Sequence, residues 1–257
     1  MLVKAKKHLG QHFLKDLKIA ERIAGIIPEG TKNVLEVGSG MGVLTQFLLK
    51  NQSINLKAVE IDTESIAYLK RRFPQLDLIE GDFLKMNLNE IFNGEKFAVI
   101  GNFPYNISSQ IFFKALENRD LVEFVGGMLQ KEVAERICAP AGNKTYGILS
   151  VFLQAYYKTD YLFGVDEHVF VPPPKVKSAV IALVRNETQH LDCNEDFFAR
   201  IVKTAFNQRR KTLRNSLKIF DEKNNFSEEI FNLRPEQLTF SQFVSLTNVI
   251  AAKAAID

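Results

Sequence analysis

The residues with the most chemistry to offer lie together at Asn102-Phe103-Pro104-Tyr105, inside FAVIGNFPYNISS at 97–109. The Asn102 side-chain oxygen and the Phe103 carbonyl are acceptors, Pro104 removes a donor and stiffens the loop, and Tyr105 offers a flat ring. Acceptors beside an aromatic platform suit the exocyclic amine of a nucleobase. The lone pair of that amine is delocalised into its ring, so attack on a sulfonium methyl group requires the amine to be held and its hydrogens drawn aside. No strong base is required, because the amine becomes acidic once methylated. Stacking on the tyrosine contributes roughly 1–3 kcal/mol per base. Taken alone, the same four residues also fit a turn with a core tyrosine.

Three neighbours narrow the choice. VLEVGSGMGVLT places Gly38, Gly40 and Gly42 just after an apolar run, where glycines permit tight turning and close approach of a ligand to backbone. A nicotinamide dinucleotide and a methyl donor both fit such a loop. Glu60 ends the next apolar run about twenty residues on, where a carboxylate accepts hydrogen bonds from ribose hydroxyls. EGD after the third run adds Asp82. In an open parallel sheet ligands lie at the carboxyl edge, so Gly38, Glu60, Asp82 and Asn102 converge from four strand ends.

The elements that must do this positioning alternate. Strand candidates NVLEVG, LKAVEI, LDLIEGD, FAVIGN and LVEFVGGML are interleaved with helical patterns, among them MGVLTQFLLK, TESIAYLKRRF opened by Thr63 as N-cap, ISSQIFFKALEN and QKEVAERICA. This is an α/β pattern with a mostly parallel sheet covered on both faces. KTDYLFGV and KSAVIALVR follow the apolar helix ILSVFLQAYY with no room for a crossover helix, so they pair as a hairpin and the sheet ends in an antiparallel strand. NETQHLDCN reads as a linker, and the remainder, with Asp196 to Ile219 and Ser227 to Ala255 helical in pattern, makes a small all-α domain.

At 257 residues, 46% hydrophobic and 25% charged, the composition is that of a globular protein without membrane segments, and MLVKAKKHLGQHF lacks the apolar core of a secretion signal. A cytoplasmic location is expected. Cys138 and Cys193 suit buried thiols rather than a disulfide framework, and neither they nor the four histidines have metal-ligand spacing. No apolar stripe demands a dimer, so a monomer is expected. The net charge of +3 is unevenly spread: seven basic residues and no acidic one fall between Phe197 and Phe220, leaving the rest net negative. Such a patch, containing Arg209, Arg210, Lys211 and Arg214, suits a phosphate-tracking RNA surface more than an ordinary solvated helix face.

GQHFL, LEVGSGMGVLT, VEID, EGDFL, NFPYNISS, VPPPKVKSAV and FNQRRKTLRNSL, in this order over nearly the whole chain, resemble the small-subunit ribosomal RNA adenine dimethyltransferases. The resemblance implies a Rossmann-like class I methyltransferase fold with a seven-stranded sheet, at 1–186, and a C-terminal helical RNA-binding domain at 187–257. It implies S-adenosyl-L-methionine as methyl donor, and two adjacent adenosines in a hairpin near the 3′ end of small-subunit rRNA as substrate, late in subunit assembly. His12 and Leu14, with Gly38 and Gly40, would line the donor site, Glu60 would bind its ribose hydroxyls, and Asp82 its adenine. Asn102 would lie between donor and target amine with the Phe103 carbonyl beside it, Tyr105 would stack on the target base, and Phe170 would be the second aromatic sandwiching it. The commoner family form has Leu where this chain has Phe103, which affects packing rather than the carbonyl.

Three other readings compete. A resistance-type methyltransferase of large-subunit rRNA shares the glycine loop and the Asn-aromatic motif, but RRKTLRNSL and RPEQLTFSQFVSLTN favour the small-subunit family. A non-catalytic RNA-binding assembly factor would not need Glu60, Asp82, Asn102 and Tyr105 intact. A dehydrogenase leaves NFPY and the basic stretch unexplained.

Overall fold

The computed structural model describes residues 3–220 and 226–254, and the end of the expected helix at Ala255 lies outside them. Its strands are β1 (Phe13–Leu14), β2 (Asn33–Val37), β3 (Asn55–Glu60), β4 (Asp77–Glu80), β5 (Phe97–Asn102), β6 (Val122–Gln130), β7 (Tyr157–Val165), β8 (Phe170–Val171) and β9 (Ser178–Arg185). The helices are α1 (Leu17–Ala24), α2 (Thr45–Leu48), α3 (Thr63–Arg72), α4 (Leu88–Ile91), α5 (Ser108–Glu117), α6 (Lys131–Cys138), α7 (Ile148–Tyr156), α8 (Glu195–Asn207), α9 (Leu213–Ser216) and α10 (Phe240–Ala254). Among the described residues no helix is long and apolar enough to cross a membrane.

Seven strands form one sheet in the order β4-β3-β2-β5-β6-β9-β7, and β1 pairs with β8 in a separate two-stranded ribbon. The β4-β3-β2-β5-β6 part is parallel, and β9 runs antiparallel to β6. The class I methyltransferase architecture expected from the sequence is therefore present. One detail differs: the antiparallel strand is last in the chain but lies one place in from the edge, which β7 occupies. Burial explains the exchange, because β9 (SAVIALVR) is buried at its first six positions and β7 exposes half of its residues. The central β2 is buried at all five, as a parallel strand covered on both faces must be.

The parallel registers align the strand ends. Val37 stands opposite Val59, Glu60 opposite Glu80, and Asn102 opposite Met128, so β2, β3, β4 and β5 finish along one edge. Just before Asn102, Gly101 faces Gly127 across β5 and β6. Gly127 has φ +150, and a Cβ there would lie 2.1 Å from the Gly101 carbonyl oxygen, so two glycines are needed for the strands to close here. The turn after β3 also differs from expectation: α3 is capped by Asp62, whose carboxylate accepts from the Ser65 amide, and Thr63 is its first helical residue. MGVLTQFLLK contributes only the four-residue α2.

The chain divides into two compact units. The first is Met1–Ala134 with Lys158–Arg185, and the second is Glu135–Tyr157 with Asn186–Asp257. The helical unit is thus assembled from two segments and not from 187–257 alone. The reason is the apolarity of α7, seven of whose nine residues are buried. Phe152 of α7 packs 5.9 Å from Phe198 of α8, and Phe206 of α8 lies 5.9 Å from Phe243 of α10. The long helix expected from Asp196 to Ile219 stops at Asn207 and resumes briefly as α9, and Ser227 to Ala255 is helical only from Phe240, after 3-10 turns at Glu229–Asn232 and Pro235–Gln237. Cys138 and Cys193 are half-buried and not joined in a disulfide.

One buried group in the sheet is ionisable. Glu36 is 1% exposed in the middle of β2 and accepts a hydrogen bond from the Thr45 hydroxyl at 2.6 Å. Burial pushes its carboxyl up to about 7, with the Thr45 bond opposing and the nearby Glu60 charge adding to the rise.

Two stability predictions follow from these contacts. Gly127→Ala forces its new methyl onto the backbone of β5 and should cost about 3 kcal/mol or more, read as a lowered thermal midpoint. Because the native pKa of Glu36 lies above its unfolded value, the native state holds a proton that the unfolded chain has released, so this stabilisation is complete below about pH 4.5 and lost as pH rises to about 7. Thermal melts at pH 5 and pH 8 should therefore differ more in the wild type than in Glu36→Gln, by up to about 3 kcal/mol.

Candidate active site

The loops following the four aligned strand ends enclose two adjoining hollows of about 700 and 580 Å³, with Gly38, Glu60 and Pro104 among the residues common to both. His12, Leu14, Gly38, Gly40, Glu60, Asn102, Phe103 and Tyr105 line the first hollow, and Asp82 lines the second. Of the residues that the sequence picked out for donor and target, only Phe170 lines neither.

Glu60 organises the floor. Its Oε2 accepts from the Gly40 amide at 2.8 Å, and its Oε1 accepts from the amides of Ile61 and Asp62 at 2.8 and 2.9 Å. A carboxylate has about four acceptor positions, so one more remains for a hydroxyl. Gly38 has φ +76, and a Cβ there would come 3.3 Å from the Pro104 ring, which lets the loops after β2 and β5 close on each other. Asp82 accepts from the Leu84 amide through Oδ1 at 3.0 Å, while its Oδ2 has only Lys85 at 3.8 Å. Phe83 and Leu84 supply apolar wall beside it.

The N-terminal segment closes one side. Lys6 pairs with Asp62 and, at 3.3 Å, with Glu64. The ribbon sets Phe13 opposite Val171 and Leu14 opposite Phe170, and His12 Nδ1 lies 2.8 Å from the Pro172 carbonyl. Asn102 Nδ2 donates to the His12 carbonyl at 3.1 Å. That bond fixes the amide and leaves Asn102 Oδ1 as the acceptor for a ligand. GQHFL is thus built into the site.

Phe103 donates its amide to the Met128 carbonyl at 2.8 Å, and its ring is 1% exposed against Phe112, so what it offers the hollow is backbone. The half-buried Tyr105 gives its hydroxyl to a hydrogen bond with Ser178 Oγ. Burial pushes the phenol above its usual pKa, with the Ser178 bond pulling the other way, so it stays protonated. The His12 ring lies 5.2 Å from the Tyr105 ring at 33°. Phe170 departs from expectation: it is 1% exposed and meets Tyr105 edge-on, at 6.5 Å and 75°. It supports the tyrosine from the side and does not face it as the second plate of a sandwich.

Two contributors went unnoticed in the sequence. Glu36 lines the first hollow, and its signal was a charge inside an otherwise apolar strand. Ser178 gave no signal, since a serine opening a strand is commonplace. The chemistry of the set fits S-adenosyl-L-methionine: an acceptor for ribose hydroxyls at Glu60, an acceptor with apolar walls for a purine at Asp82, and the buried Ser39 hydroxyl, beside Glu36 but without a hydrogen bond of good geometry, in need of a polar partner.

In the helical unit the basic residues separate into two groups. Arg209 donates to the Lys144 carbonyl and lies 3.9 Å from Glu236, and Arg214 donates to the Phe226 carbonyl and to Asn232 Oδ1 at 3.2 Å. Arg210 and Lys211, with Lys203 and Lys218, are exposed and have no side-chain partner among the described residues.

Comparison with known proteins agrees with this geometry. Residues 2–251 match the family model described as ribosomal RNA adenine dimethylase. The chain is 59% identical over 254 residues, 97% of its length and 95% of the relative's, to the ribosomal RNA small subunit methyltransferase A of Bacteroides thetaiotaomicron. It is similar to a dimethyladenosine transferase from Plasmodium falciparum, with a TM-score of 0.75, 26% identity and coverage of 95% and 98% of the two chains. The 23S rRNA methyltransferase ErmE, at 24% identity and TM-score 0.70 over 92% of this chain and 99% of that one, shares the fold. This chain belongs to the ribosomal RNA adenine dimethylase family.

Proposed function

We propose that this protein dimethylates the N6 amines of two adjacent adenosines in the hairpin near the 3′ end of small-subunit rRNA, during assembly of the small ribosomal subunit in the cytoplasm, and that it acts as a monomer. The observation that carries the reading is the Asn102 amide, locked by the His12 carbonyl so that its oxygen is the free acceptor, next to the Phe103 carbonyl and the Tyr105 ring. The 59% identity to a small-subunit enzyme, against 24% to a large-subunit one, favours the small-subunit substrate.

Glu60, Asp82 and the glycine loop would hold S-adenosyl-L-methionine, which when bound supplies an electrophilic sulfonium methyl group. The chain's residues do the rest by placement. Tyr105 takes one face of an adenine that has left its stack, so a hairpin loop, with its bases already exposed, is a suitable target. In the first transfer Asn102 Oδ1 and the Phe103 carbonyl accept the two amine hydrogens, and in the second one of them accepts the hydrogen that remains, turning the nitrogen lone pair out of conjugation and toward the methyl carbon. As the nitrogen–carbon bond forms, the methyl group's bond to the donor sulfur would break and the sulfur would leave as a neutral thioether; the methylated amine becomes acidic, and its proton leaves to water without a charged base. Catalysis by orientation and exclusion of water fits a site whose reacting groups are neutral acceptors.

The second unit would grip RNA phosphate through Lys203, Arg210, Lys211 and Lys218, a reading supported by their exposure, while Arg209 and Arg214 make hydrogen bonds within the unit. In this arrangement log affinity for single-stranded RNA should fall with log salt at a slope near −3, about −0.7 for each of these four exposed residues, where all seven basic residues would give nearly −5. A filter-binding salt titration separates the two. Arg210→Ala with Lys211→Ala should flatten the slope with an unchanged melting temperature, whereas Arg214→Ala should lower the melting temperature.

Asn102→Ala should reduce methyl transfer to undermethylated small subunits by at least about 100-fold with RNA and donor binding intact. Transfer at the wild-type rate would defeat the mechanism. Mass spectrometry of rRNA from cells with and without the gene tests the substrate, with loss of dimethyladenosine as the expected result.

A further inference from the structure

Ser178 opens β9 at a position with no exposure, in a strand whose next five residues are all apolar and buried. A hydroxyl at such a place is costly unless it is hydrogen-bonded. Its partner is the Tyr105 hydroxyl, from the loop between β5 and α5. The two ends of this bond differ in rigidity. Ser178 pairs in register with Gln130 of β6, and the residue before it is held twice, by the Lys131 amide on the Lys177 carbonyl at 2.9 Å and by the Lys177–Asp166 ion pair at 2.7 Å. Tyr105 sits in a four-residue turn closed by the Ile107 amide on the Pro104 carbonyl at 3.2 Å, and its hydroxyl tip reaches the sheet at Ser178.

A tyrosine ring on a short loop keeps rotational freedom about its side-chain bonds unless its far end is tied. Phe170 meets the ring edge-on from one side and His12 lies tilted against it, and neither contact fixes where the hydroxyl end points. We propose that Ser178 is a positioning residue for methyl transfer: it anchors the Tyr105 hydroxyl to the sheet and so sets the plane on which the target adenine stacks relative to Asn102. The sandwich expected between Tyr105 and Phe170 is replaced by a single platform, braced at its edge by Phe170 and pinned at its tip by Ser178. This assignment rests on the reading of Tyr105 as the base platform.

The test is a double-mutant cycle on the full-length protein, with undermethylated small subunits as substrate and donor labelled in its methyl group. Ser178→Ala and Tyr105→Phe each remove one end of the bond and keep the ring, and each should lower kcat about 5- to 10-fold with KM for the subunit unchanged, since the platform engages only the unstacked base. The double variant should be no slower than either single one. Donor binding stoichiometry by calorimetry normalises the rates to folded enzyme. Multiplying losses in the double variant would show that Ser178 acts by another route and would overturn the proposal, as would either single variant at the wild-type rate. Should Ser178→Ala fail to fold, the rate of Tyr105→Phe decides alone. Tyr105→Ala is the control for the underlying reading: a loss of about 100-fold there with Tyr105→Phe at the wild-type rate defeats the Ser178 assignment only, and a wild-type rate in Tyr105→Ala defeats the platform itself.

Discussion

The site depends first on the three backbone amides that Glu60 accepts. One comes from the glycine loop after β2 and two from the turn after β3, so a single carboxylate joins two strand ends that share a sheet but not a loop. From there the constraints propagate through short steps. Holding the Asp62 amide places the Asp62 side chain to cap α3 and to take Lys6. Lys6 brings in the N-terminal segment, whose His12 carbonyl then fixes the Asn102 amide. Glu60 and Asn102 are thereby linked within one unit by hydrogen bonds, the Lys6–Asp62 ion pair and the stretch of chain from Lys6 to His12.

Much of this was legible in the residues, because the features involved are local. A parallel sheet puts its functional side chains at strand ends, and strand ends are marked by apolar runs stopping at Gly, Glu, Asp or Asn, as at Gly38, Glu60, Asp82 and Asn102. What escaped the sequence depends on partners remote in the chain. Ser178 matters only because Tyr105 lies beside it, 73 residues earlier. Phe170 was expected to face Tyr105, and the ribbon with Leu14 turns that segment so that the ring is buried edge-on instead. The helices fell short where a run of helical composition contained a competing signal: Gln208 to Thr212 separates α8 from α9, and Pro235 opens a 3-10 turn ahead of α10.

The basic stretch shows why charge in a sequence is an incomplete guide to binding. Guanidinium groups present several donors in a fixed fork and readily satisfy backbone carbonyls, and both Arg209 and Arg214 are used in that way. Arg200 lies over the rings of Phe197 and Phe220, at 5.8 and 5.7 Å. Lys203, Arg210, Lys211 and Lys218 are exposed and have no side-chain partner among the described residues. The same seven positive charges therefore divide by geometry into those that shape the helical unit and those that give it an exterior field.

The clamp itself carries no charged group, and this has a chemical reason. A carboxylate at the place of Asn102 would accept the amine hydrogens more strongly, but it would also stabilise the cationic ground state of a sulfonium donor beside it, so that part of its attraction would be lost as that charge is transferred. A neutral amide and a carbonyl interact little with the donor's charge and act on the amine alone. Two carboxylates of the first hollow are kept from that role: Glu60 is occupied by three amides, and Glu36 is buried and shifted toward its neutral form, while Asp82 lines the second hollow. The Tyr105 platform is likewise uncharged, its phenol pushed by burial further above a value that is already well above neutral. In the proposed reaction, selectivity for a planar amine would come from the spacing of two weak acceptors and one ring, so the rigidity of their supports would matter more than the strength of any one contact.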